Sequence, residues 1–157
     1  MFQIGDYIVH PMHGAGVIES VVTKKINGQQ RDYYVLKLPV GDMVVMVPVA
    51  GCENIGVRSI ISKSEAENIF ESFKELEVSM TQNWNKRYRE NMDKIKSGNL
   101  LDVASVVKGL MCRDNERGLS TGERKMLHSA KQILISELVI ATETDYDGVE
   151  QRLYASL

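Results

Sequence analysis

The sequence predicts an α+β chain: a small antiparallel β-barrel followed by an all-α helical bundle. Three observations carry that prediction. Short runs of β-branched and aromatic residues recur along residues 1–60 at ~8–12-residue spacing, punctuated by Gly and Pro. From Ile60 the apolar period changes from about two to about 3.6 residues. Beyond that point, N-cap residues and terminating glycines alternate in the order that helices require. The expected units are therefore residues 1–60 and 61–157.

The strands follow in order. Asp6 to Pro11 reads as the first, and Pro11-Met12-His13-Gly14-Ala15-Gly16 as a turn whose two glycines can take positive φ. Val17 to Ile26 is a second strand, ended by Asn27-Gly28, the strongest short hairpin signal. Gln30 to Leu38 is a third, and the turn Pro39-Val40-Gly41-Asp42 leads into a fourth over Met43 to Pro48. A weaker fifth strand, near Ile55 to Arg58, would close the barrel.

The helices begin at Ser62-Lys63-Ser64-Glu65, a capping box ahead of an inward stripe of Ala66, Ile69, Phe70, Phe73 and Leu76. Asn83 caps a second helix to about Ser97, on which Trp84, Tyr88, Met92 and Ile95 recur in phase. Gly98 and Asn99 separate it from a third, Leu100 to Arg117, which Gly118 ends. Ser120-Thr121-Gly122-Glu123 reads as another capping box, opening a long helix with Met126, Leu127, Ala130, Ile133, Leu134, Leu138 and Ala141 inward. A last helix, about Tyr146 to Ala155, packs Val149, Leu153 and Tyr154 onto the bundle.

The segment Asn83-Trp84-Asn85-Lys86-Arg87-Tyr88-Arg89 holds the only tryptophan of the chain. An in-phase Trp on an amphipathic helix is ordinarily core. Its place in the first turn argues otherwise, because such a side chain projects back past the helix end, and three neighbouring cations make a poor lid for a buried ring. On a helical wheel Arg87 and Arg89 fall roughly 95° to 105° to either side of the apolar stripe, with Lys86 opposite. Arg124 and Lys125 stand at a second helix start. A solvated polar face is the plain reading of either run; two such starts joined by an aromatic point to a wedge against unstacked bases, with cations on the phosphates.

Charge distribution supports the same segment. The net charge is −2, yet residues 84–132 carry eleven cations against six anions, and residues 133–157 one against five. Hydrophobic content of 43% and charged content of 25% describe an ordinary soluble chain. No run of ~18 uncharged apolar residues and no basic leader with an apolar core is present, so a cytoplasmic protein without membrane contact is expected. Cys52 and Cys112 fall in different units and are expected as reduced thiols. His10 and His13 lack further ligands for zinc, Gly14-Ala15-Gly16 lacks the rest of a phosphate fingerprint, and no nucleophile and base pattern stands out. No enzyme activity, cofactor or small-molecule substrate is expected.

His10 to Gly16, Val47-Pro48, Asn83 to Arg89, and Arg113-Asp114-Asn115-Glu116-Arg117-Gly118-Leu119-Ser120 through Met126-Leu127 together resemble the CarD/CdnL family of bacterial transcription regulators. The resemblance covers essentially the whole chain; its barrel part is shared with the polymerase-interacting module of transcription-repair coupling factors. It implies a Tudor-like barrel that docks on the RNA polymerase β subunit. It also implies a helical domain that contacts promoter DNA, through the minor groove and phosphates, at the upstream edge of the melted −10 region. Trp84 matches the family's wedge, and Arg87, Arg89 and Arg124 match family positions that are basic and face DNA; Lys86 and Lys125, read from the helix starts, are expected to bind DNA beside them. Lys24 matches a basic position of the polymerase contact, to which Val45, Met46 and Val47 on the fourth strand would add. Met46 departs from the family by standing where members carry Arg, so the polar part of that contact is expected to be shifted or weaker. A monomer is expected. The alternative is a protein adaptor that docks polymerase by β-augmentation without touching DNA.

Overall fold

The computed structural model describes residues 1–40 and 42–157; Gly41, within the predicted turn before the fourth strand, lies outside the described residues. Five antiparallel strands form one sheet: β1 (Tyr7–His10), β2 (Gly14–Ile26), β3 (Gln29–Leu38), β4 (Met43–Pro48) and β5 (Arg58–Ser59). Their order, β4-β3-β2-β1-β5, leaves β4 and β5 as the two ends. The long β2-β3 hairpin turns through Asn27 and Gly28, both at positive φ (52° and 78°), the type I′ pattern that matches strand twist. Ile8, Ile18, Tyr34, Leu36, Leu38, Val47, Cys52 and Val57 form the core beneath the sheet.

The predicted fifth strand is displaced. Cys52–Ile55 forms a short helix, α1, whose Cys52 enters the barrel core, and only Arg58–Ser59 pairs with β1. Positive φ at Gly51 and Gly56 brackets that turn of helix, which shifts the strand three residues later than its apolar residues suggest.

Five helices follow: α2 (Lys63–Glu75), α3 (Trp84–Lys96), α4 (Leu100–Arg117), α5 (Thr121–Thr142) and α6 (Tyr146–Tyr154). The N-caps are Ser62, Asn83, Asn99, Ser120 and Asp145, each with a side-chain oxygen accepting from the first turn, and Ser62 with Glu65 completes a capping box. Ala66, Phe70, Phe73, Ile95, Val107, Leu110, Leu134, Leu138 and Leu153 belong to a second core, separate from that of the sheet. Lys108 is drawn into this bundle, where its ammonium donates to the Phe73 and Lys74 carbonyls and so closes the end of α2. Tyr154 differs from expectation: it is 45% exposed, with the Lys131 ammonium 5.3 Å from its ring.

The two cores are clamped together by α5. Gly14, the first residue of β2, takes a φ of 97° and lies so close to α5 that a Cβ there would stand 2.5 Å from Ser136 Oγ. The Ala15 N–H donates to that hydroxyl at 2.9 Å. Beside it Arg58 makes a two-pronged ion pair with Glu137, both bonds 2.7 Å, and the Ile61 N–H donates to the same carboxylate at 3.0 Å. Glu137 is wholly buried, and these donors are what make a carboxylate tolerable there. No helix is long and apolar enough to cross a membrane among the described residues.

Candidate nucleic-acid interface

The start of α3 and the start of α5 meet edge to edge. Asn83 Oδ1 accepts from the Lys86 N–H at 3.0 Å, which fixes the first turn of α3 and with it the direction of Trp84. The indole is 42% exposed. Its N–H donates to Ser120 Oγ at 3.1 Å, and its ring stacks on Tyr88 with centroids 5.1 Å apart and planes 21° from parallel. Gly122, in the first turn of α5, lies beneath the six-membered ring: a Cβ there would stand 3.3 Å from Cζ2.

Lys86 and Arg89 on α3 and Arg124 and Lys125 on α5 are exposed. Arg124 is held near the α5 start by donating from Nε to the Leu119 carbonyl at 3.2 Å. Two lysines and two arginines thus stand exposed on the two helices whose starts carry this flat apolar surface, and peptide dipoles at those starts also favour anions.

Arg87 is corrected. It is 2% exposed and faces into the bundle, so its guanidinium cannot reach a phosphate. Nε and Nη2 bond the Glu123 carboxylate at 2.8 and 3.2 Å, while Nη1 donates to the Thr81 and Gln82 carbonyls at 3.0 and 2.9 Å. The apolar stripe of α3 is correspondingly rotated: Arg87, Asn91 and Ile95 are its buried residues, with Tyr88 and Met92 half-buried beside them. Glu123, expected to complete a capping box, turns to Arg87 instead. The bonds from Arg87 hold its carboxyl below the ordinary carboxylate range, against the desolvation that would raise it. Arg113 adds a third charge, its Nε 4.0 Å from Glu123 Oε1.

The residues assigned to polymerase lie on the sheet and divide in two. Lys24 is exposed on β2, directly opposite Arg31 of β3. Met46, half-buried, pairs with Val35, and Val45, also half-buried, packs on the barrel core. Val47 is corrected: it is 1% exposed opposite Tyr34, so its side chain belongs to the core and only its backbone could meet a partner. β4 is an end strand of the sheet, with Met43 and Val44 43% and 60% exposed.

Sequence reasoning missed Ser120, Gly122 and Tyr88 as supports of the indole and Arg31 as the companion of Lys24. A glycine inside a helix's first turn was the one visible signal, since helices disfavour it without some local need. Among the described residues no group of three or more His, Cys, Asp or Glu side chains is arranged to hold a metal ion.

The fold defines the class: a Tudor-like module joined to a helical domain. The chain belongs to the CarD family of transcription factors. Residues 2–61 match the CarD-like/TRCF RID domain and residues 68–154 match the CarD, C-terminal domain. It is 39% identical over 140 residues to the Bacillus subtilis (strain 168) protein named "Putative transcription factor YdeB", covering 89% of this chain and 92% of that one.

Proposed function

We propose that this chain binds RNA polymerase through the sheet of residues 1–60 and stabilises the open promoter complex through the helical domain of residues 61–157. The single observation that carries the reading is Trp84, left 42% exposed among four exposed cations at two helix starts. Membership of a family whose first domain is shared with transcription-repair coupling factors supports the polymerase contact, with the β subunit as partner and Lys24, Arg31 and the β4 edge as the surface.

The energetics favour a tethered wedge over a free DNA binder. Stacking an aromatic on a base gains ~1–3 kcal/mol, while unstacking a base step costs a few kcal/mol, so the exchange is favourable chiefly where the step is already opening. About four cations bind DNA weakly and with strong salt dependence. Docking on polymerase supplies an effective concentration of order millimolar. Differential affinity for melted over closed promoter then lengthens the life of the open state.

Trp84→Ala tests this. Folding and polymerase binding should be unchanged while open complexes dissociate several-fold faster in a competitor-challenge assay; an unaltered dissociation rate removes the wedge. A second reading, an adaptor without DNA contact, is favoured by the exposed edge of β4. A gel shift on forked promoter DNA, with and without polymerase, separates them: the adaptor gives no shift that depends on Trp84.

A further inference from the structure

Gly122 has no backbone reason to be glycine. It does not take a positive φ, and it sits in the first turn of a helix that most residues would serve better. What surrounds it is the indole: a Cβ would stand 3.3 Å from Trp84 Cζ2, 3.7 Å from Cη2 and 3.9 Å from Tyr88 Cε2. A methyl there would press on the edge of the ring, which would have to give by a few tenths of an ångström.

Ser120 is used three times over. Its hydroxyl accepts from the Glu123 N–H at 3.3 Å as the helix cap and from the indole N–H at 3.1 Å, and donates to Glu123 Oε1 at 3.4 Å. Both lone pairs and the single hydrogen are spent, so the hydroxyl has one orientation available. Glu123 is in turn gripped by the buried Arg87, which also ties down the carbonyls that precede α3. A continuous chain of bonds therefore runs Arg87, Glu123, Ser120, Trp84, and Tyr88 backs one face of the ring.

We propose that Ser120 and Gly122 are positioning residues that set the pose of the Trp84 ring, with the Arg87 and Glu123 pair locking the first turn of α5 against α3. For the wedge the consequence is preorganisation: the ring's rotamer is chosen before any partner arrives, so inserting it forfeits little side-chain freedom. This deepens the wedge role proposed above and rests on it for its functional part, but not for the pose itself.

Trp84 is the chain's only tryptophan, so its fluorescence reports the pose directly. Gly122→Ala, Ser120→Ala and Ser120→Thr are compared in the whole chain by acrylamide quenching, thermal unfolding and open-complex half-life with polymerase. Gly122→Ala should unfold no earlier than the parent, since alanine favours the helix, yet quench more readily. Ser120→Ala should also quench more readily, and both should shorten the half-life about two- to tenfold, the range expected for losing one hydrogen bond's worth of orientation. Ser120→Thr, which keeps a hydroxyl able to cap the helix, accept from the indole and donate to Glu123, should restore both readouts. Unchanged quenching in Gly122→Ala and Ser120→Ala overturns the proposal. Altered quenching with an unchanged half-life, when Trp84→Ala does shorten it, confines the two residues to fixing the ring without functional consequence and overturns the positioning role. If Trp84→Ala itself has no effect, the wedge reading fails, and quenching alone decides whether α5 holds the ring.

Discussion

Arg87 and Arg89 lie two positions apart on α3, and their surroundings give them opposite work. Arg87 is enclosed with Glu123, so its loss strands a carboxylate in a dry site; Arg89 stands in water. Arg87→Met should cost about 3–5 kcal/mol in urea unfolding, nearer the lower figure to the extent that Arg113 swings in from 4.0 Å. Arg89→Ala should leave stability within ~0.5 kcal/mol of the parent but lower DNA affinity on all sequences alike and flatten its salt slope by about one. Acid sensitivity follows from the same pair. The folded Glu123 carboxyl titrates below its ordinary 4.5, so the stabilisation it contributes is complete above that pH and lost as pH falls through the depressed value. Stability followed by circular dichroism should therefore decline below about pH 4.5, and less steeply in Glu123→Gln.

Among the elements, the β2-β3 hairpin and β4 carry the proposed partner surface. Lys24 and Arg31 are directly opposed across the hairpin, and like charges so placed destabilise it in the free protein. An acidic partner would relieve that repulsion. Arg31→Thr should accordingly raise the thermal stability of the protein by about 0.2–1 kcal/mol while weakening capture of a β-subunit fragment in a pull-down. Unchanged capture would remove Arg31 from the contact. β4 carries no charged side chain, so the cations of the proposed surface, Lys24 and Arg31, sit on the hairpin. The face that β4 turns inward was not legible in the sequence. Met43 to Val47 is apolar at every position, so alternation has nothing to show; only the register with β3, which sets Val47 opposite the buried Tyr34, decides it.

At the scale of the molecule, α5 is the shared member. Its first turn holds the tryptophan and its middle holds the barrel, through Ser136 on the Ala15 N–H and Glu137 on Arg58 and the Ile61 N–H. The proposed wedge and the proposed docking edge on the sheet are thereby parts of one body, and the offset between them is set by packing rather than by a linker. Glu137→Ala should release that coupling: the parent is expected to unfold in one calorimetric transition and the variant in two, as sheet and bundle melt separately. A single transition in both would mean that apolar packing along α5 suffices without the ion pair.

The sequence by itself determined the first four strands and the five longer helices, the hairpin at Asn27-Gly28, the caps at Ser62, Asn83, Asn99 and Ser120, and the exposure of an aromatic in the first turn of α3. These signals act within a few residues, since periodicity and capping are properties of the local backbone. Tertiary structure alone decided that Arg87 turns inward, that Val47 is core, and that Gly14 lies against α5. Each of these depends on a distant partner: Glu123 for Arg87, Tyr34 for Val47, Ser136 for Gly14. Burial of a charge is decided by whether another charge arrives to meet it, and no local pattern can say that.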